Sequence, residues 1–156
     1  MKATHQTLTT PAPDLDPMRP SVLLRGAAVY LGTHGWTQHQ FYDLLADTAG
    51  PFPPACASGA IMTAATGQCL ANGICTLDSN GDDTDTITAM RAMRYFADWF
   101  NGAEGPFDAY DGLPPSAIDV IGDWNDDPDR TLAEVIETLT DAANDWDRAH
   151  PTGGAQ

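Results

Sequence analysis

The sequence contains little positive charge and no long apolar segment. One lysine and six arginines stand against 22 aspartates and glutamates, which gives a formal net charge of −15. Such a charge repels phosphates and argues against direct binding to nucleic acid or to anionic membranes. No apolar run approaches the roughly 18 residues of a membrane-spanning helix, and residues 1–20 contain no apolar signal core. We therefore expect a cytoplasmic protein that does not enter a membrane.

Cysteine is also scarce. Three cysteines, Cys56, Cys69 and Cys75, cannot form a complete disulfide framework, and reduced thiols are the default in the cytoplasm. Cys69 and Cys75 are close enough in the sequence to pair across a small loop. A C-x5-C pair without a second pair or a histidine cluster is weak evidence for zinc. The sequence therefore indicates no cofactor.

Helical periodicity is the main pattern that is present. A chain of 156 residues fits one domain with its own core. We predict an all-α fold, a compact bundle of about five helices over residues 21–148, between flexible tails at 1–20 and 149–156. Apolar periodicity predicts helices near 20–35, 56–65, 86–102, 116–124 and 131–148, with a further short helix at 37–50. A long loop rich in Gly and Asp, residues 66–86, is expected between the third and fourth helices.

Capping residues mark several of these helix starts. Thr131 and Glu134 have the spacing of a capping box, and Ser116 has Asp119 at the same spacing. Ser21 is the expected cap of the first helix.

The segment PPACASGAIMTAATG, residues 53–67, places one cysteine beside a run of very small residues. Small side chains recur on one helix face, at Cys56, Gly59, Ala60 and Thr63, so another helix backbone can approach closely. As a nucleophile at a helix start, Cys56 needs a base and an orienting group. The candidates are His34 or His39 for the base and Asn125 or Asp126 for the orienting group. The stripe of small residues favours the alternative, in which the thiol is a packing group.

Two acidic segments resemble cation sites only in part. Asp78, Asn80 and Asp82 match the first three ligand positions of a calcium loop, but Asp83 replaces the required glycine and Ala89 the final glutamate. A solvated loop is therefore favoured over a calcium site. The segment WNDDPDRT, residues 124–131, is similarly explained by turns and helix capping rather than by a metal.

Four carboxylates lie on the polar side of the last predicted helix: Glu134, Glu137, Asp141 and Asp145. They extend over about 16 Å at 1.5 Å per residue. Such a stripe can attract a basic protein partner. The alternative is an ordinary solvated helix face.

Three short segments together resemble a family of small proteins of unknown function that is common in actinobacteria and their phages. They are GWTQ at 35–38, ACASGAI at 55–61, and WND at 124–126 ahead of an alanine-rich helix. The resemblance covers about residues 22–146 and implies a small all-helical domain with an accessory or host-interaction role. The family-type residues are Gly35, Trp36, Gln38, Cys56, Gly59, Asn125 and Asp126, and His34 is not among them. Trp36 and Gln38 then form either a pocket wall with a polar group or a core cap with bonds to free backbone groups.

The pattern as a whole favours a non-catalytic binding protein that engages a basic protein partner through its acidic second half. The binding residues expected from this interpretation are Trp36, Gln38, Asn125, Asp126, Glu134, Glu137, Asp141 and Asp145. The alternative is a small cysteine-dependent enzyme or a ligand pocket around Cys56, with His34 and Asn125.

Overall fold

The computed structural model describes residues 19–46, 50–69, 84–101 and 116–151. Most of these residues belong to five helices, α1 (Pro20–His34), α2 (Ala57–Thr66), α3 (Thr84–Asn101), α4 (Ala117–Asn125) and α5 (Leu132–Ala149). Strand-like pairing in these ranges is limited to two isolated bridges, in which Ala55 pairs with Trp36 and with Tyr42. The predicted all-α class is confirmed. Residues 70–83, most of the predicted long loop, lie outside the described ranges.

The helix starts of α4 and α5 follow their predicted caps. At α5, the Glu134 N–H donates to the Thr131 hydroxyl at 3.3 Å, and the Thr131 N–H donates to the Glu134 carboxylate at 2.8 Å. At α4, the Ser116 hydroxyl accepts from the Asp119 N–H at 3.1 Å. Each cap satisfies backbone donors that have no partner inside the helix.

The start of α1 differs from the prediction. The N-cap is Arg19, whose side chain makes no capping bond, and Pro20 occupies the first helical position. Proline suits that position, because its fixed φ is already helical and the missing N–H needs no partner there. Ser21, the expected cap, instead lies buried in the first turn.

The core is shared among all five helices. α1 packs mainly against α5 and α2, while α3 packs against α2 and α4. Seven consecutive residues of α2, from Ala57 to Thr63, are buried, so this helix is enclosed on most sides as its sequence predicts. Full burial of an aliphatic side chain contributes roughly 1.5–3 kcal/mol. The largest fully buried apolar side chains are Phe96, Leu24, Leu31, Ile61, Met93, Ile121, Leu139 and Val135.

The short helix predicted for residues 37–50 does not form over 37–46, and this prediction is wrong. Backbone groups of residues 37–43 bond to residues 54–56, and the local backbone bond in this stretch is a single turn from the Ala46 N–H to the Asp43 carbonyl at 3.4 Å. The Thr37 N–H donates to the Ala55 carbonyl at 3.0 Å, and the Asp43 N–H donates to the Pro54 carbonyl at 2.8 Å. In return, the Cys56 N–H donates to the Phe41 carbonyl at 2.9 Å. These long-range bonds satisfy backbone groups that a helix would otherwise pair locally.

Gly59 allows this segment to lie directly on α2. A Cβ at Gly59 would come within 2.5 Å of the Phe41 carbonyl oxygen, a distance that real Cβ atoms do not adopt. The irregular backbone at Phe41 therefore packs against the small-residue face of α2. The sequence predicted that another helix would pack there. The Tyr42 hydroxyl completes the contact through hydrogen bonds to the Gly59 carbonyl and the Thr63 hydroxyl, both 2.9 Å long.

None of the helices in the described ranges has the length and apolar character needed to cross a lipid bilayer.

Candidate functional site

Asn125 is the point at which the three motif segments meet. It is the last residue of α4 and is 0% exposed. Its Oδ1 accepts from the indole Nε1 of Trp36 at 2.8 Å and from the Ala57 N–H at 3.1 Å. Its Nδ2 donates to the Thr37 carbonyl at 3.2 Å and to the Asp126 carboxylate at 2.9 Å. A side-chain amide can make four such bonds, and all four are made here.

Gln38 fixes the carboxyl end of α4. Its Nε2 donates to the carbonyl of Asn125 at 3.0 Å and to that of Asp127 at 2.8 Å. The last carbonyls of a helix have no partner within the helix, and donors are favoured there by the helix dipole. Of the two sequence-based alternatives for Gln38, the geometry matches the one in which its amide bonds free backbone groups.

The amino end of α2 is capped from two directions. The Asn125 side chain accepts from the Ala57 N–H, and the Cys56 sulfur accepts from the Gly59 N–H at 3.4 Å. Cys56 is thus the N-cap residue and lies just outside the helix that it was expected to join. Asn125, at the carboxyl end of α4, therefore caps the amino end of α2.

Asp126 connects this network to His39. The Asp126 carboxylate accepts from the His39 N–H at 2.9 Å, and its second oxygen lies 3.5 Å from the His39 Nδ1. His39 has a φ of 64°, a left-handed conformation that non-glycine residues seldom adopt. The surrounding hydrogen bonds hold this residue in a fixed turn beside α4.

An open cleft of about 280 Å³ lies between residues 39–41, the start of α2 and one side of α4. Three carboxylates line it, those of Asp119, Asp123 and Asp126. The other lining residues are His39, Gln40, Phe41, Cys56, Ser58, Ile118, Gly122 and Asn125. The cleft combines acidic groups on α4 and at its C-cap, Asp126, with apolar surface from Phe41 and Ile118.

Cys56 is poorly placed for nucleophilic chemistry. Burial raises the pKa of its thiol to about 11, and the nearby charge of Asp126 adds to the rise. The N–H groups of Gly59 and Ser58 act in the opposite direction but do not offset burial. Because the thiolate is the reactive form, a pKa this high leaves almost none of it at neutral pH.

The structure does not bring the suggested Cys–His–Asn set together. The ring of His34 packs against Tyr30 at 4.7 Å and Phe52 at 5.4 Å between ring centroids, and it does not line the cleft. His39, the other candidate base, lines the cleft together with Cys56. Asn125 lies close by, but its amide is fully committed to the bonds described above.

The four carboxylates predicted on α5 do not form a uniform surface. Glu134 belongs to the capping box, while Asp145 accepts from the Trp99 indole at 2.8 Å and pairs with Arg148. Glu137 and Asp141 are exposed one helical turn apart, with no partner among the described residues. They are the part of the stripe that remains available to another molecule.

The calcium-loop candidates Asp78, Asn80 and Asp82 lie outside the described residues. Within the part of the chain that is described, no group of three Asp, Glu, His or Cys side chains is placed to hold a metal ion.

Sequence reasoning missed several residues of the cleft. Asp119 and Asp123 share one side of α4 because they are four residues apart, a spacing that could have been read directly. Ser58 and Phe41 gave no such signal, since their position depends on the irregular segment at 37–46.

Comparison with known proteins identified one matching family, whose function is unknown. A family model described as "Family of unknown function (DUF6197)" matches residues 16–145. Neither the curated proteins nor the solved structures gave a match. The match covers most of the chain, including the buried Asn125 network, the cleft and most of α5. The chain therefore belongs to this family of unknown function.

Proposed function

We propose that the chain is a non-catalytic binding protein that engages a basic protein partner through the outer face of α5. The observation that carries this proposal is the pair Glu137 and Asp141. Both side chains are exposed, and like charges four residues apart destabilise a helix by about 0.2–0.5 kcal/mol. A basic partner relieves this repulsion.

The protein's own positive charge does not offset this pair. Five of the six arginines, namely Arg19, Arg25, Arg94, Arg130 and Arg148, already form ion pairs with aspartates. None of these aspartates is Asp141. With a net charge of −15, attraction of a cationic surface would act mainly on the association rate and on specificity.

The competing function, a cysteine-dependent enzyme, has less support. Its nucleophile would be the buried Cys56 with a pKa of about 11, and His34 packs elsewhere against aromatic rings.

The family resemblance adds a biological setting to the proposal. We propose that the protein acts in the cytoplasm of an actinobacterium or its phage as an accessory or host-interaction factor. The motifs GWTQ, ACASGAI and WND support this setting. In the structure, the Trp36 and Gln38 side chains and the Ala57 backbone N–H bond to Asn125.

The test is capture of a partner from the host, followed by measurement with purified components. Glu137→Gln with Asp141→Asn should weaken affinity about tenfold and reduce its salt dependence. The matched control is Asp85→Asn with Asp129→Asn, which removes the same charge from other exposed positions and should change affinity less than about twofold. Equal weakening by both pairs, or a partner without a basic surface, would reject the proposal.

A further inference from the structure

We propose that the cleft beside α4 is a binding site for an alkylammonium group, of the kind carried by a lysine side chain or an aliphatic diamine. Its ammonium would face the cleft's carboxylates, on α4 and at its C-cap Asp126, together with the hydroxyl of Ser58, and its methylene stem would contact Phe41 and Ile118. The site is separate from the outer face of α5 and does not depend on the proposed function.

Charge is the first argument for a cationic ligand. Asp119, Asp123 and Asp126 all line the cleft, and among the lining residues only His39 can carry a positive charge. The His39 ring lies at Asp126. Asp119 accepts a hydrogen bond from the Ser116 hydroxyl at 2.7 Å, which keeps it at the start of α4. Asp123 is exposed and has no partner among the residues that the structure describes.

The second argument is independent of charge. Ser58 lines the cleft and is 1% exposed, and its Oγ has no hydrogen-bond partner within the described ranges. A buried hydroxyl without a partner is costly, and each such group in a folded protein needs an explanation. The Oγ is closed to solvent in this structure, so an N–H donor entering the cleft would supply the missing bond once the Ser58 side chain rotates towards it. A merely solvated acidic surface does not explain why a polar side chain is buried at this place.

The shape and lining of the cleft define the class of cation. Its volume of about 280 Å³ is several times the roughly 30 Å³ share of one water molecule, so it accommodates an organic group. Phe41 and Ile118 supply apolar surface next to the carboxylates. Methylene stems pack on apolar surface while their charged ends keep polar contacts. An alkylammonium fits this combination, because it offers three N–H donors at the end of an apolar stem.

The test is a titration of the purified full chain with pentylamine, followed by heteronuclear NMR, with pentanol as the uncharged probe of equal length. We expect shifts centred on residues 39–41, 56–58 and 118–126 with pentylamine, and much weaker ones with pentanol. Asp123→Asn should weaken pentylamine binding about tenfold, whereas Asp141→Asn, the same change on α5, should leave it within about twofold. Equal weakening by both variants would overturn the proposal, because it would show only general charge attraction.

Ser58→Ala separates a ligand contact from a structural role. Removal of an unpartnered buried hydroxyl should leave the urea midpoint unchanged or raise it, while pentylamine affinity falls about fivefold. An unchanged affinity would remove Ser58 from the site and overturn the proposal. So would displacement of the amine by millimolar Mg²⁺, since that would identify a metal site.

Two further probes distinguish the source of the ammonium group. Tighter binding of N-acetyl-lysine methylamide than of cadaverine would indicate a lysine of a protein. The reverse order would indicate a free diamine. Either order supports the proposal, and failure of both probes to bind would overturn it without affecting the α5 face, where Glu137 and Asp141 are tested with a different ligand.

Discussion

The side-chain oxygen of Asn125 accepts a hydrogen bond from the Trp36 indole at 2.8 Å, although the two residues are 89 positions apart in the sequence. The same oxygen caps α2 through the Ala57 N–H. The side-chain amide of Asn125, in the segment WND, thus joins the segment GWTQ, through Trp36, to the segment ACASGAI, through Ala57. These hydrogen bonds hold residues 36–39, the start of α2 and the end of α4 together, and the cleft lies between these three parts of the chain.

Asn125→Asp tests this frame with almost no change of shape. The new oxygen in place of Nδ2 would face the Thr37 carbonyl and the Asp126 carboxylate, so two hydrogen bonds become repulsions. We expect a loss of about 3–5 kcal/mol in the free energy of unfolding, the usual effect of an uncompensated buried charge. Urea denaturation measures this loss.

Asn144→Asp is the matched control for that variant. Asn144 is exposed, and its Oδ1 accepts from Arg25 at 2.8 Å, a bond that a carboxylate would retain. We expect a change within about 0.5 kcal/mol. A similar effect of the two substitutions would show that Asn125 is not a special position.

Gly59→Ala tests the close approach of Phe41 to α2. A Cβ there would lie 2.5 Å from a backbone oxygen, so the 37–46 segment would have to move. We expect destabilisation of about 1–3 kcal/mol despite the better helix propensity of alanine. Thermal or urea unfolding gives the value.

Gly122→Ala, in α4, is the matched control, and we expect it to raise the free energy of unfolding rather than lower it. Nothing lies within 4 Å of a Cβ at Gly122, so the substitution should stabilise α4 by up to about 1 kcal/mol. If Gly59→Ala were as well tolerated as Gly122→Ala, the contact described between Phe41 and α2 would be wrong.

Asp147, near the end of α5, links this helix to the start of α1. It pairs with Arg25 at 2.7 Å and with Arg19 at 3.5 Å. Burial acts to raise the pKa of Asp147, but the guanidinium groups of Arg25 and Arg19 act in the opposite direction, and the pKa is lowered overall. A lowered pKa in the folded state stabilises the protein above the unfolded pKa, and this contribution is lost as the pH falls through the folded pKa.

Asp147→Asn should therefore reduce stability at pH 7 and have a diminishing effect below about pH 4. Since the side chain is 39% exposed, we expect less than about 1 kcal/mol at pH 7. Chemical denaturation at several pH values measures the difference from the parent chain, with Asp141→Asn as the control. A difference that grew on acidification would contradict the assignment.

The fold was predictable where the signal was local. The capping pairs Thr131–Glu134 and Ser116–Asp119 fixed two helix starts, and the small residues of α2 predicted its burial. The error at 37–46 arose because apolar periodicity there competes with hydrogen bonds to residues 54–56, which are visible only in three dimensions.

The candidate site was predictable only in part. Cys56, Asn125 and Asp126 were proposed as motif residues from the resemblance, but the contacts of Asn125 and Asp126 run across about 70–90 positions, for which a single sequence gives no spacing rule. The buried hydroxyl of Ser58 had no signature in the sequence, since a serine at the second position of a helix is usually an ordinary polar residue near its cap.

The most direct test of a binding role rather than a catalytic one is the alkylation rate of Cys56 by iodoacetamide at neutral pH, followed peptide by peptide with mass spectrometry. A pKa of about 11 against the ordinary value of 9.0 predicts a rate about a hundredfold below that of a free thiol, and slower still through burial. The rate should rise about tenfold per pH unit between pH 7 and 9, as the thiolate fraction does. Rapid modification at pH 7, with a rate that levels off below pH 8, would show an activated thiol and would contradict the account.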